Sequence, residues 1–220
     1  MKLYPDTKIY ILCPVNFQSG GPESLHQLAS QLISLNIETY LVYSDYKTNP
    51  VHDAYKKYHV PFVFTWEDEP HNIIIFPETT TFVIYRVQKI QCVIWWLSVD
   101  NYLIESASII QSHIKNLLER PVPKFFTFDA ANKNIEHLVQ SEYARQFLNL
   151  NGVDKIKNVE THMSQTFLSK AAQVNFNDKK NIVAYNPKKG FEVTKQFIEF
   201  APEIAWRPIE NMTPAQVQEL

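Results

Sequence analysis

The stretch Ile9-Tyr10-Ile11-Leu12-Cys13, followed after a polar loop by Gly20-Gly21-Pro22-Glu23, decides the fold of this 220-residue chain. Residues 9–13 form a continuous apolar run, which is typical of a strand buried on both faces of a parallel sheet. Leucines and an alanine then recur at helical spacing from Leu25 to Leu35, and the proline before them suits the first turn of a helix. The pattern predicts a strand, a loop and a helix in succession.

The same alternation continues along the chain. Further strands are predicted at 39–43, 61–65, 72–76, 91–97 and 136–140, with helical segments at 51–58, 80–87, 103–118 and 141–148. Strands that alternate with helices indicate an α/β fold, here a doubly wound Rossmann-like domain with a mainly parallel sheet over residues 1–174. Ligands of such sheets bind at the carboxyl ends of the strands.

A second unit is predicted over residues 175–220. It contains a strand at 181–185, a helix at 191–200, a strand at 205–209 and a helix start at 213. Because about forty residues cannot bury a sheet of their own, we expect an incomplete second Rossmann-like unit, either of a truncated chain or of a fragment of a two-domain protein.

Composition excludes several classes of protein. Hydrophobic residues make up 45% and charged residues 20% of the chain, which is typical of a globular protein and not of a disordered one. The net charge of -2 offers no general attraction to nucleic acid. No apolar run approaches the ~20 residues of a membrane span. The first residues, Met1 to Asp6, lack the long apolar segment of a secretory signal, so we expect none. The two cysteines lack a CxxC partner, so we expect reduced thiols and a cytoplasmic location.

The glycine pair lies where a ligand could bind. Between a strand and a helix, backbone amides and the helix dipole can meet a phosphate or a sugar hydroxyl, although Gly20-Gly21 also fits an ordinary tight turn and lacks the G-x-G-x-x-G spacing. Glu23 and His26 are three residues apart, so we expect both to project from one side of the helix, away from the leucines. They are candidates for a general base and its partner, and a solvated helix face explains them equally well.

The string from Trp95 to Tyr102 is richer in information. Because successive side chains of a strand point to opposite faces, Trp95 and Trp96 cannot fill the same core. One indole beside Ser98, Asp100 and Asn101 would make a sugar or base pocket. Alternatively, both tryptophans pack under helices and Asp100-Asn101 caps the next helix.

Two lysines follow the first strand of the second unit. In Tyr185-Asn186-Pro187-Lys188-Lys189-Gly190, cations beside free helix amides suit a diphosphate, whereas surface lysines are commonly just solvated. The chain has no D-x-D pair and no metal-ligand histidine spacing, so we expect no metal site.

Taken together, four strings resemble those of bacterial glycosyltransferases of the GT-B type that act in capsular or other surface-polysaccharide synthesis. The strings are Gly20-Gly21-Pro22-Glu23, Trp95-Trp96-Leu97-Ser98-Val99-Asp100-Asn101-Tyr102, Gln140-Ser141-Glu142-Tyr143-Ala144 and Tyr185-Asn186-Pro187-Lys188-Lys189-Gly190. The resemblance implies two facing Rossmann-like domains: residues 1–174 on the acceptor side, and residues from 175 onward as the beginning of the nucleotide-sugar-binding domain.

The resemblance also implies roles for residues. Gly20 and Gly21 would lie near the donor diphosphate, and Lys188 and Lys189 would neutralise it without a metal. Glu23 and His26 become acceptor-side catalytic candidates. The implied acceptor pocket comprises Trp95, Trp96, Ser98, Asp100, Asn101, Ser141, Glu142 and Tyr143. No cofactor is implied, since the nucleotide sugar is a substrate. The acceptor would be a glycan or a lipid-linked glycan, which is compatible with peripheral contact at the inner membrane face.

Other functions remain open. A non-catalytic fragment could bind a glycan or a nucleotide sugar without transferring it. A nucleotide-sugar epimerase can share the two-domain architecture and needs no acceptor. A nicotinamide-dependent dehydrogenase is disfavoured, because the first loop lacks the required glycine spacing.

Overall fold

The computed structural model describes residues 1–44, 49–115, 126–128, 135–160, 163, 165–171, 173–175, 177, 179–210 and 212–219. The chain divides into two compact units, residues 1–161 and 162–220. Part of the predicted helix at 103–118 lies outside the described residues. None of the described helices is both long and apolar enough to pass through a lipid bilayer.

The first unit is an α/β domain built on a seven-stranded sheet in the order β3-β2-β1-β4-β5-β6-β7, in which every neighbouring pair is parallel. The strands are β1 (Ile9–Leu12), β2 (Thr39–Val42), β3 (Phe62–Val63), β4 (Ile73–Pro77), β5 (Gln91–Trp96), β6 (Glu136–Val139) and β7 (Ile156–Asn158). This confirms the α/β class and the parallel Rossmann-like sheet.

Helices alternate with these strands. The α-helices are α1 (Gly20–Ser34), α2 (Val99–Lys115) and α3 (Glu142–Leu150), and 3-10 helices span Asp53–Tyr58 and Glu78–Tyr85. The α3 helix begins as predicted, because the Ser141 hydroxyl accepts a hydrogen bond from the Ala144 amide at 3.2 Å.

Both faces of the sheet are buried, as the continuous apolar runs predict. Ile9 and Ile11 belong to one apolar cluster, and Tyr10 and Leu12 belong to another. Since side chains alternate along a strand, the two clusters are the two cores on opposite faces of the sheet.

The strand order reverses between β1 and β4. From β1 the chain continues outward through β2 and β3, whereas from β4 it continues in the other direction through β5, β6 and β7. Loops on opposite sides of such a reversal leave a crevice at the carboxyl ends of the strands, where ligands of open parallel sheets bind.

The second unit contains α4 (Gln165–Ala171), β8 (Ile182–Tyr185), α5 (Phe191–Phe200), β9 (Ala205–Pro208) and α6 (Pro214–Gln218). Strands β8 and β9 pair in parallel on either side of α5 in the chain. The α4 helix packs against α6. The division between the units therefore falls before α4, earlier than the boundary after residue 174 that the polar segment indicated.

Two elements have no counterpart in the prediction. Strand β7 is a three-residue edge strand with exposed Lys157 and Asn158, so it carries no apolar run. Helix α4 is seven residues long.

Candidate functional site

Four polar segments meet the carboxyl edge of the seven-stranded sheet. The loop after β1 leads to Gly20 and Gly21, Glu78 directly follows β4, the turn 97–101 follows β5, and the segment 140–143 follows β6. Strand β4 lies between β1 and β5, and β5 neighbours β6. The sheet therefore gathers at one edge the segments that the sequence singled out in the first unit.

The glycine pair is the first turn of α1 itself and does not form a turn ahead of it, which corrects the predicted helix start. Neither glycine has a positive φ. A Cβ at Gly20 would meet no atom within 4 Å, whereas a Cβ at Gly21 would lie 3.6 Å from Cδ1 of Leu97. Because the first amides of a helix have no intrahelical acceptor, this end of α1 presents donors beside the β5 turn.

The 3-10 helix Asp53–Tyr58 anchors the start of α1. The Tyr55 hydroxyl accepts from the Ser19 amide at 2.8 Å and donates to the Ser19 carbonyl at 2.7 Å. The Glu23 carboxylate accepts from the Tyr58 hydroxyl at 2.8 Å and from Lys57 Nζ at 3.2 Å. Glu23 is therefore already engaged by two side chains of this 3-10 helix.

His26 lies inside the protein, with only 2% of its surface exposed. Its Nδ1 lies 2.8 Å from the Pro22 carbonyl, which can only accept, so Nδ1 donates and Nε2 accepts from the Tyr43 hydroxyl at 3.0 Å. Burial lowers the pKa of His26 and favours the neutral ring. Glu23 and His26 both face the 3-10 helix Asp53–Tyr58, in keeping with their spacing. The alternative of a solvated helix face is wrong for His26, because Tyr55 covers its ring at a centroid distance of 4.6 Å.

The two tryptophans fill opposite cores, which confirms the alternation argument. Trp95 and Trp96 are 3% and 1% exposed and belong to different apolar clusters. Trp96 Nε1 donates to Nδ1 of His137 at 2.9 Å. Nε1 of Trp95 has no acceptor in the part of the chain that the structure describes. Neither indole forms an open platform beside Ser98, because each is buried in one of the two cores that flank the sheet.

A buried glutamate that the sequence analysis missed organises the β5 turn. Glu78 is 2% exposed, and its carboxylate accepts from the Leu97 amide at 2.9 Å and from Asn101 Nδ2 at 3.2 Å. The Ser98 amide also donates to it, and burial is the main cause that raises the pKa of this carboxyl. The available signal was its position directly after the buried run 73–77, at the carboxyl end of a strand.

Side chains after β5 and β6 also meet each other. The exposed Tyr143 hydroxyl donates to Oδ1 of Asp100 at 3.0 Å, which joins the first turns of α2 and α3. Glu142 faces Arg145 with an N–O distance of 3.7 Å. The predicted pocket residues after these two strands, Ser98, Asp100, Asn101, Ser141, Glu142 and Tyr143, are thus neighbours at the carboxyl ends of β5 and β6.

Lys188 and Lys189 lie in the second unit and are exposed. Oδ1 of Asn186 accepts from the Lys188 amide at 2.9 Å. Gly190 adopts a φ of 61°, which favours glycine, and α5 begins at the next residue. The loop places both lysines just before the amino terminus of α5. That they share a ligand with the glycines of the first unit stays a prediction.

Within the described residues, no three His, Cys, Asp or Glu side chains are arranged to hold a metal ion. Burial raises the pKa of the Cys13 thiol to about 12, so this thiol stays protonated and unreactive at neutral pH. The groups that the structure places at the carboxyl edge are the first amides of α1, the carboxylates of Glu78 and Asp100, the Asn101 side-chain amide and the Tyr143 phenol, all of which form hydrogen bonds.

No protein-family model matches this chain, and no curated protein is significantly similar to it.

Proposed function

We propose that the chain is a glycosyltransferase of the GT-B type, or part of one, that moves a sugar from a nucleotide-sugar donor to a glycan or lipid-linked acceptor in surface-polysaccharide synthesis. One observation carries the proposal. The segments after β1, β4, β5 and β6 converge on the carboxyl edge of a parallel sheet next to its strand-order reversal. Sites for nucleotides and sugars in parallel α/β folds form at this edge.

The acceptor would bind over the ends of β5 and β6. Asp100, Asn101 and Tyr143 supply carboxylate, amide and phenol groups within one small region. Such groups pair with sugar hydroxyls, which both donate and accept. The residues around them are hydrogen-bonded to each other, so the pocket would be ordered before the acceptor arrives.

The donor diphosphate would be stabilised by amides and lysines. The first amides of α1, at Gly20 and Gly21, lack intrahelical acceptors and suit phosphate oxygens. Lys188 and Lys189 precede α5 in the second unit and would offset the charge that develops on the departing nucleotide, without a metal. A cytoplasmic location, with peripheral contact to a lipid-linked acceptor at the inner membrane face, belongs to the same proposal.

Nucleotide binding provides the test. Thermal-shift and calorimetric titrations with uridine, guanosine, adenosine, cytidine and thymidine diphosphates should reveal one that stabilises the chain. The double variant K188A/K189A should weaken that binding by more than tenfold, about 1.4 kcal/mol or more, since hydrogen bonds to charged groups are strong. The control K170A/K180A removes two exposed lysines from the same unit. Absence of binding, or equal losses in both double variants, would contradict the proposal.

A non-catalytic binding module is the second candidate, and the surroundings of two residues favour it. Glu23 is engaged by Tyr58 and Lys57, and both ring nitrogens of His26 have partners. Neither residue is therefore a free base. Incubation with radiolabelled nucleotide sugars and glycan acceptors separates the candidates: a labelled glycan supports the transferase, and binding without product supports the module. An epimerised free nucleotide sugar would indicate the epimerase instead.

A further inference from the structure

We infer that Glu78 is the positioning residue of the candidate site: it holds the turn 97–101 in place beside the first turn of α1. The inference deepens the proposed function and rests on it for the ligand. Glu78 does not itself contact the ligand in this scheme. It acts through Leu97 and Asn101.

The place of Glu78 in the fold makes this role available. It directly follows β4, which lies between β1 and β5 at the strand-order reversal. A side chain at this point can reach the loops after both neighbouring strands. Glu78 reaches the one after β5, where Leu97 and Asn101 donate to its two carboxylate oxygens.

The carboxylate is surrounded by neutral donors. They are the amides of Leu97, Ser98 and Glu78 itself and Nδ2 of Asn101, facing it from the β5 turn, the first turn of α2 and its own backbone. No lysine or arginine in the described part of the chain forms an ion pair with it. A carboxylate accepts all four bonds only while it is ionised. The nearby amino terminus of α2, which begins at Val99, favours that charge.

The turn held by Glu78 contacts both other parts of the site. Leu97 adjoins Gly21, since a Cβ built there would lie 3.6 Å from Cδ1 of Leu97. Asp100, in the same turn, accepts from Tyr143 at the end of β6. One buried carboxylate therefore links the start of α1 with the pocket after β5 and β6. If Glu78 loses its charge or one carboxylate oxygen, the turn 97–101 is held less firmly against the start of α1 and against Tyr143.

The first experiment measures amide hydrogen exchange and needs no ligand. In the variant E78Q, which keeps the shape of the side chain, we expect at least a tenfold loss of protection at the Leu97 and Ser98 amides. Protection in the wild type should also fall as the pH decreases toward the raised pKa of Glu78, whereas in E78Q it should stay flat. The variant N101A removes one exposed donor and should give a smaller loss of protection at the same two amides. It replaces E78Q as the test variant if E78Q does not fold.

The control is E136Q. Glu136 is at the amino end of β6, where it pairs with the amine of Met1 at 2.7 Å and with Lys157 at 2.8 Å. E136Q removes a partly buried charge from the same sheet at the opposite end of the strands. It should lower stability without changing exchange at residues 97 and 98.

The second experiment titrates the same proteins with the nucleotide diphosphate that binds the wild type. We expect E78Q to bind about tenfold more weakly, with a flatter pH profile than the wild type, and E136Q to bind normally. Unchanged exchange in E78Q and N101A overturns the inference, whatever the binding result. If exchange changes but the wild type binds no nucleotide diphosphate, the proposed function fails, while Glu78 still stands as the residue that orders the turn.

Discussion

Acidification should destabilise the first unit through His137. This residue is 2% exposed, and its Nδ1 accepts the hydrogen bond from Trp96 Nε1 at 2.9 Å. The acceptor nitrogen cannot keep that bond once it is protonated. Burial lowers the pKa of His137 from 6.5 to about 4, against a smaller opposing effect of Glu136.

The size of the effect follows from this difference. Between pH 6.5 and 4 the unfolded chain binds a proton at His137 that the folded protein does not, so stability falls as the pH falls through this window. One pKa unit corresponds to about 1.4 kcal/mol, and the loss between pH 7 and 4 is therefore about 3 kcal/mol. His26, whose pKa is also lowered, adds a loss in the same direction. The raised pKa of Glu78 has the opposite effect on stability. The folded protein binds this proton at a higher pH than the unfolded chain does, so Glu78 contributes a gain in stability as the pH falls.

Urea unfolding at pH 7, 6, 5 and 4, followed by tryptophan fluorescence, measures the free energy of unfolding at each pH. The variant H137N isolates the histidine, because an asparagine oxygen can accept from Trp96 where Nδ1 did and does not titrate. The wild type should lose about 3 kcal/mol more than H137N between pH 7 and 4. Equal losses in the two proteins would refute the assignment of a neutral, buried His137.

Three smaller perturbations test other parts of the first unit. S141A removes the cap of α3, where the hydroxyl accepts from the Ala144 amide, and should cost about 1 kcal/mol in urea unfolding; an unchanged midpoint would count against the cap. Y55F removes the hydroxyl bonded to both backbone groups of Ser19 and should cost about 1–3 kcal/mol while raising exchange of the Ser19 amide. G20A meets no atom within 4 Å and should raise thermal stability by about 0.5 kcal/mol; a lower melting temperature would contradict the open space at Gly20.

The strands could be predicted where their local pattern is strong. Residues 9–13, 73–76 and 92–97 are apolar throughout, and each of these runs contains most of a strand that is buried on both faces. Strand β7 could not be predicted from its sequence. It is a three-residue strand at the edge of the sheet, paired only with β6, and its exposed residues form no apolar run. Helix α4 is only seven residues long and packs against α6, which lies more than forty residues later in the chain.

The candidate site was predicted in part. Its position at the carboxyl ends of the strands follows from the alternation of strands and helices. The burial of His26 could not be derived, because it depends on the 3-10 helix Asp53–Tyr58, about thirty residues later, which folds over that side of α1. Glu78 was missed for a similar reason: its donors come from the turn after the next strand.

By itself, the sequence determined the class of fold, the two faces of each buried strand and the segments that reach the carboxyl edge. These depend on the period of the apolar residues, which is a local property of the chain. Only the tertiary structure decided which polar groups are buried and which groups they bind. A hydrogen bond such as that from Leu97 to Glu78 joins segments that the order of strands brings together, and strand order is set by packing between residues distant in the chain.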